Sequence, residues 1–121
     1  MHENIVLKLM EIHQQFRILH WETKSYSRHK AYDMVYEELD NLIDKFVECL
    51  MGKYGVIKIS NEKIKLVSAQ NLDINKFLND IKNFLISLSD TFDPKIDSDL
   101  LNIRDEILAL QNKLRYLLTL R

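Results

Sequence analysis

Apolar residues recur every three or four positions along four separate stretches of this chain, and that spacing constrains the fold more than any other feature. The first stretch, Glu3 to Thr23, carries Ile5, Leu9, Ile12, Phe16 and Leu19. The second, Arg28 to Met51, carries Tyr32, Val35, Leu39, Leu42, Phe46 and Cys49, with Gly52 placed to end it. A third, Leu72 to Thr91, repeats Ile74, Phe77, Leu78, Ile81, Phe84, Leu85 and Leu88. The fourth, which Asp97 or Ser98 can cap, reaches almost to Arg121 and repeats Leu100, Ile103, Ile107, Leu110, Leu114 and Leu117. Each is the signature of a helix with one buried face. Two glycines and one proline leave few positions where helices must stop.

A helix with one apolar stripe has to bury it against another, so the expected fold is all-α, a single four-helix bundle over residues 1–121. Ser25 or Ser27, and Asn71 or Asp73, are suited to cap the second and third helices. The link Lys24–Ser27 is short, which makes the first two helices an antiparallel hairpin. Some 18 residues follow the second helix without helical period, enough at about 3.3 Å each to run the length of a helix. The expected topology is therefore the ferritin-like one, with the second and third helices parallel across one long crossover. Brief alternation around Ile57–Ile59 and Ile64–Leu66 leaves room for a small hairpin there.

Composition excludes several functions. A formal net charge of −1, with both signs spread along the chain, provides no electrostatic footprint for DNA. No apolar run approaches the ~20 residues of a membrane span, and no signal peptide is expected at the N-terminus. The lone Cys49 excludes an internal disulfide and suits a buried thiol in a reducing compartment. A soluble protein of a cell's or host's cytoplasm is expected. Glycine-rich phosphate loops, nucleophile elbows and Cys-x-x-Cys pairs do not occur.

Candidate chemistry concentrates between His20 and Glu48. At about 100° per residue, His29, Asp33, Glu37, Asp40, Asp44 and Glu48 fall within about a third of the circumference of the second helix, opposite its core stripe. A solvated acidic face is the plain reading. Like charges four residues apart repel, however, unless a cation sits on them. His20 lies one turn before the link and His29 one turn after the next helix begins, so the two should meet. Two imidazoles with carboxylates form a mixed nitrogen and oxygen set suited to Fe(II), Mn(II) or Zn(II). His13, two turns before His20, reads as a packed or solvent-facing side chain, and Trp21 and Tyr36 read as packing.

The HisTrp pair ending the first helix, followed by His29, Asp33, Asp44 and Glu48 at offsets of four, fifteen and nineteen from His29, resembles the ferroxidase signature of Dps-type mini-ferritins. That resemblance implies iron held by His20, His29 and Asp33 of one subunit and by Asp44 and Glu48 of a two-fold related copy, with Fe(II) oxidised to Fe(III). It implies a homodimer or larger homo-oligomer. A site completed by a neighbour agrees with a ligand stripe facing away from its own core, and the inward Glu-x-x-His pairs of a bundle-internal di-iron site are absent. The HisTrp-x-Thr-x-SerTyr-x-x-HisLys arrangement also looks like small ferritin-like proteins of viruses and phages. The alternative function is accordingly a non-catalytic structural or interaction protein, its metal ligands vestigial or only cross-linking a dimer.

Overall fold

A computed structural model describes residues 2–120, Met1 and Arg121 lying outside the description. Four α-helices form, α1 (Glu3–Glu22), α2 (Tyr26–Tyr54), α3 (Ile74–Thr91) and α4 (Ser98–Leu117), with a 3-10 turn at Ala69–Asn71 and no strand among the described residues. α4 stops at Leu117, short of the C-terminal reach expected from the sequence.

Local chemistry accounts for most of the helix ends. The Ser25 hydroxyl accepts the Arg28 N–H at 3.3 Å, so α2 begins two residues earlier than its apolar stripe suggests. Asp73 caps α3 by accepting from the N–H groups of Asn75 and Lys76 at 3.0 and 3.2 Å. The C-terminal end of α2 corrects the expectation placed on Gly52, which lies inside the helix. Gly55, at φ +95°, terminates α2 instead, a conformation that costs glycine little and other residues more. At about 1.5 Å per residue, the 29 residues of α2 give it roughly 43 Å, which makes it the spine of the bundle.

Asp97 precedes α4 without capping it. Its carboxylate turns back to accept the Asp93 N–H at 3.0 Å and the Tyr54 hydroxyl, while Lys53 donates to Asp99 at 2.8 Å and to the Ile96 carbonyl. The hydroxyl of Tyr54 beside it, with the Asp93 N–H and Lys53 adding to the effect, holds the Asp97 carboxyl below its ordinary range. The overhanging end of α2 is thereby tied to the start of α4.

α1 packs on α2, α2 on α4 and α3 on α4, while Phe16 and Phe77, 5.3 Å between ring centres, join α1 to α3. Leu9, Val35, Leu39, Phe46, Leu50, Leu78, Leu85, Leu100 and Leu114 are the most deeply buried side chains, drawn from all four helices. Each contributes about 1.5–3 kcal/mol relative to exposure. Ile5, Leu42, Cys49, Phe77, Phe84 and Leu117 are only partly covered and flank this core.

The crossover forms no hairpin. It runs as an extended strap along α1, because α1 supplies acceptors for its backbone. Glu3 takes the Ser60 N–H at 3.1 Å, Glu11 takes that of Lys65 at 2.7 Å, and Glu22 takes that of Ala69 at 2.6 Å. Gln15 pairs with Val67 in both directions, donating to its carbonyl at 2.9 Å and accepting its N–H at 3.0 Å, as a neighbouring strand would. The strap returns the chain to the α1–α2 turn, so α3 descends antiparallel to α1 and parallel to α2. The expected one-crossover, four-helix topology is the one observed.

Candidate functional site: stacked rings between α1 and α2

Because the turn at Thr23–Ser25 is short, residues of α1 and α2 face one another in a fixed antiparallel register, and two pairs of rings fill the groove. His20 lies against His29, ring centres 3.9 Å apart and planes 18° from parallel. Seven residues away on each helix, His13 lies against Tyr36, again at 3.9 Å, with planes 16° apart. Each α1 histidine also has an aspartate of α2 at 3.9 Å from its Nε2, four residues beyond its ring partner: Asp33 for His20 and Asp40 for His13. One arrangement therefore occurs twice.

The hydrogen bonds differ between the two rungs. His13 donates through Nε2 to the Tyr36 carbonyl at 3.0 Å, which leaves Nδ1 to accept from Gln14 at 3.5 Å. His20 and His29 instead exchange bonds: Nδ1 of His20 donates to the His29 carbonyl at 2.9 Å, and Nδ1 of His29 to the His20 carbonyl at 2.8 Å. A carbonyl can only accept, so both rings carry their proton on Nδ1 and, when neutral, keep a free lone pair on Nε2. Burial pushes the pKa of His13 below its ordinary value, with Arg17 adding to the effect and the Tyr36 carbonyl and Asp40 opposing it. Arg17 lies 3.9 Å from the centre of the Tyr36 ring and 5.6 Å from that of Trp21. Trp21 and Tyr26, at the turn, are 69% and 73% exposed. Trp21 thus projects into solvent, whereas Tyr36 packs as its spacing suggests.

The five candidate metal ligands fall into two groups. His20, His29 and Asp33 come together near the α1–α2 turn. Asp44 and Glu48 lie farther along α2, beginning eleven residues or about 16 Å past Asp33, and are exposed. The Asp44 carboxylate, which can accept a hydrogen bond from a protonated Glu48 and repels a charged one, pushes the Glu48 carboxyl above its usual range. Among the described residues no three His, Cys, Asp or Glu side chains are arranged to hold a metal ion. Within one chain, then, this donor set does not fit a di-iron centre.

Periodicity did not reveal the polar side chains buried elsewhere. Arg104 donates to the Leu85 carbonyl at 2.8 Å and the Ser89 hydroxyl at 2.9 Å, pinning α4 to α3, and Gln15 anchors the strap. Both interrupt otherwise apolar stripes, which is the one sequence signal that could have found them.

Fold and groove together describe an all-helical bundle whose histidines take part in packing. The chain belongs to a family of unknown function, DUF5856, whose model matches residues 20–118. It is similar to the uncharacterized 14.6 kDa protein in the mobD-ri intergenic region of Enterobacteria phage T4, 36% identical over 112 residues that make up 93% of this chain and 83% of that protein. No solved structure matches. The resemblance to Dps-type mini-ferritins is overturned by these matches, neither of which is to a ferritin-like family. The physical origin of the resemblance is plain. An outward ridge on a long helix repeats every three or four residues, so carboxylates at offsets of four, fifteen and nineteen fall on it without any metal.

Proposed function

We propose that this chain is a phage protein that works as a non-catalytic structural or interaction module in the host cytoplasm. The observation that carries this reading is the repetition of the ring pair. The His13–Tyr36 rung keeps the register, the stacking distance and the neighbouring aspartate of the His20–His29 rung, yet Tyr36 provides no imidazole ligand. The arrangement is thus explained by packing between two helices, worth about 0.5–1.5 kcal/mol per ring pair beyond burial. The phage origin of the T4 relative supports the biological setting. Exposed Trp21 and Tyr26 beside the first rung are residue types enriched where proteins meet partners.

The test is Fe(II) oxidation in air, with and without peroxide, followed by ferric absorbance. Oxidation no faster than in protein-free buffer is expected. Saturable oxidation that disappears in Glu48→Gln would overturn the reading.

A second reading is favoured by one observation, the uncommitted Nε2 atoms of His20 and His29, that of His20 lying 3.9 Å from Asp33. In it a divalent cation, Zn(II), Mn(II) or Fe(II), joins these residues to the acidic ridge of another copy and only cross-links a dimer. Zinc would then raise the melting temperature by mass action and double the mass, and both effects would vanish in His29→Ala.

A further inference from the structure

α2 carries a second outward face, turned toward α4, that none of the chemistry above uses. Between α2 and α4 an open furrow runs along the bundle on the side away from the strap. Its middle section, about 450 Å³, is lined by Glu38, Asn41 and Leu42 of α2 and by Glu106, Ala109 and Lys113 of α4. It continues toward the α1–α2 turn as a hollow of about 270 Å³, lined by Lys30, Ala31, Met34, Leu117 and Leu120 together with Lys113. The floor is apolar, and the small Ala31 and Ala109 let another helix approach closely.

The charges along the furrow are ordered. Lys30 and Lys113 stand at the end near the turn, and Glu38 and Glu106 at the other. Lys30 and Glu38 are eight residues apart on α2, about 12 Å, and Glu106 and Lys113 seven apart on α4, about 10 Å. The two spans match because the helices are antiparallel. The furrow is therefore positive at one end, negative at the other and apolar between. A surface of that kind is complementary to itself after a half-turn, since a two-fold axis through the level of Met34 and Leu110 brings each lysine pair opposite the partner's glutamates.

We infer that the α2–α4 furrow is a self-association face whose occupant is a second, antiparallel copy of this chain. The inference goes beyond the proposed function and requires no metal. A patch about 22 Å long and two helices wide covers roughly 400 Å² per copy, about half that of a standard specific interface and in the range of weak, transient contacts. The dimer is accordingly weak and forms at concentrations on the order of tens of micromolar.

The experiment is sedimentation equilibrium on the full chain, with EDTA present, from 5 µM to about 500 µM. The mass should rise from 14.4 kDa toward twice that value. Two double variants follow, Lys30→Glu with Lys113→Glu, and Glu38→Lys with Glu106→Lys. All four sites are exposed, so circular dichroism should remain that of wild type. Each variant alone should be at least tenfold weaker in self-association, and an equimolar mixture should regain the wild-type dimer because its charges are again opposite. A wild-type chain that remains monomeric at 500 µM would overturn the inference, as would variants that self-associate like wild type or a mixture that fails to recover. A dimer seen only with zinc would also overturn it while supporting the cation-bridged reading above. Iron oxidation would contradict the proposed function without touching this face.

Discussion

The two rungs between α1 and α2 share a register, a stacking distance and a nearby aspartate, and they differ in which imidazole nitrogen is turned inward. His13 spends Nε2 on a carbonyl and is closed in by Tyr36, Gln14 and Arg17. His20 spends Nδ1, as does its partner His29, and both keep Nε2 free. The same residue type, one heptad apart on one helix, thus becomes a closed packing element in one place and an open pair of lone pairs in the other. The lesson is that ligand-like residue types do not specify a ligand role until the direction of the ring is known.

The largest effect that would sharpen this contrast concerns the ring partners. Tyr36→Ala removes the surface that both His13 and Arg17 lie on and should cost roughly 2–3 kcal/mol in urea denaturation. His29→Ala should cost about 1–2 kcal/mol, the combined worth of one partly exposed stack and one hydrogen bond. Equal losses would break the distinction between the rungs.

Acid should separate them next. Burial depresses the pKa of His13 in the folded chain, so the unfolded state takes up its proton first as pH falls. The stability contributed by neutral His13 is complete above its unfolded value of about 6.5 and is lost as pH drops through the lower folded value. His13→Gln should therefore flatten the decline in melting temperature between pH 7 and pH 5. A decline unchanged in His13→Gln would place the sensitive group elsewhere.

The smallest effects belong to the rim. Asp33→Asn and Asp40→Asn should each change stability by no more than about 0.5 kcal/mol, since both stand 3.9 Å from their histidines and are open to water. Trp21→Ala should be similarly silent in denaturation, because most of that side chain is in solvent. A loss near 2 kcal/mol at Asp33 would show that the open rung is a charged pair rather than a stack.

Much of the bundle was legible before any coordinates. Four stripes at helical period specify four helices, and a short link at Lys24–Ser27 leaves His20 no neighbour but the first turns of α2. Ser25 and Asp73 read as caps because their oxygens reach backbone N–H groups two or three residues ahead, a purely local matter. The end of α2 was less legible, since Gly52 and Gly55 differ only in which one the helix needs at positive φ. The Dps-like spacing misled for the reason that made the helix predictable. One period generates both an amphipathic helix and a row of carboxylates.

What the sequence determined by itself, then, is whatever depends on neighbours within a turn or two: helix positions, their caps, the hairpin register and the acidic ridge of α2. Tertiary structure alone decided the path of the strap, the burial of Gln15 and Arg104, the inward nitrogen of each histidine and the furrow beside α4. Those depend on hydrogen-bond partners from 9 to 57 residues away and on which helices lie side by side. A local period carries no record of either.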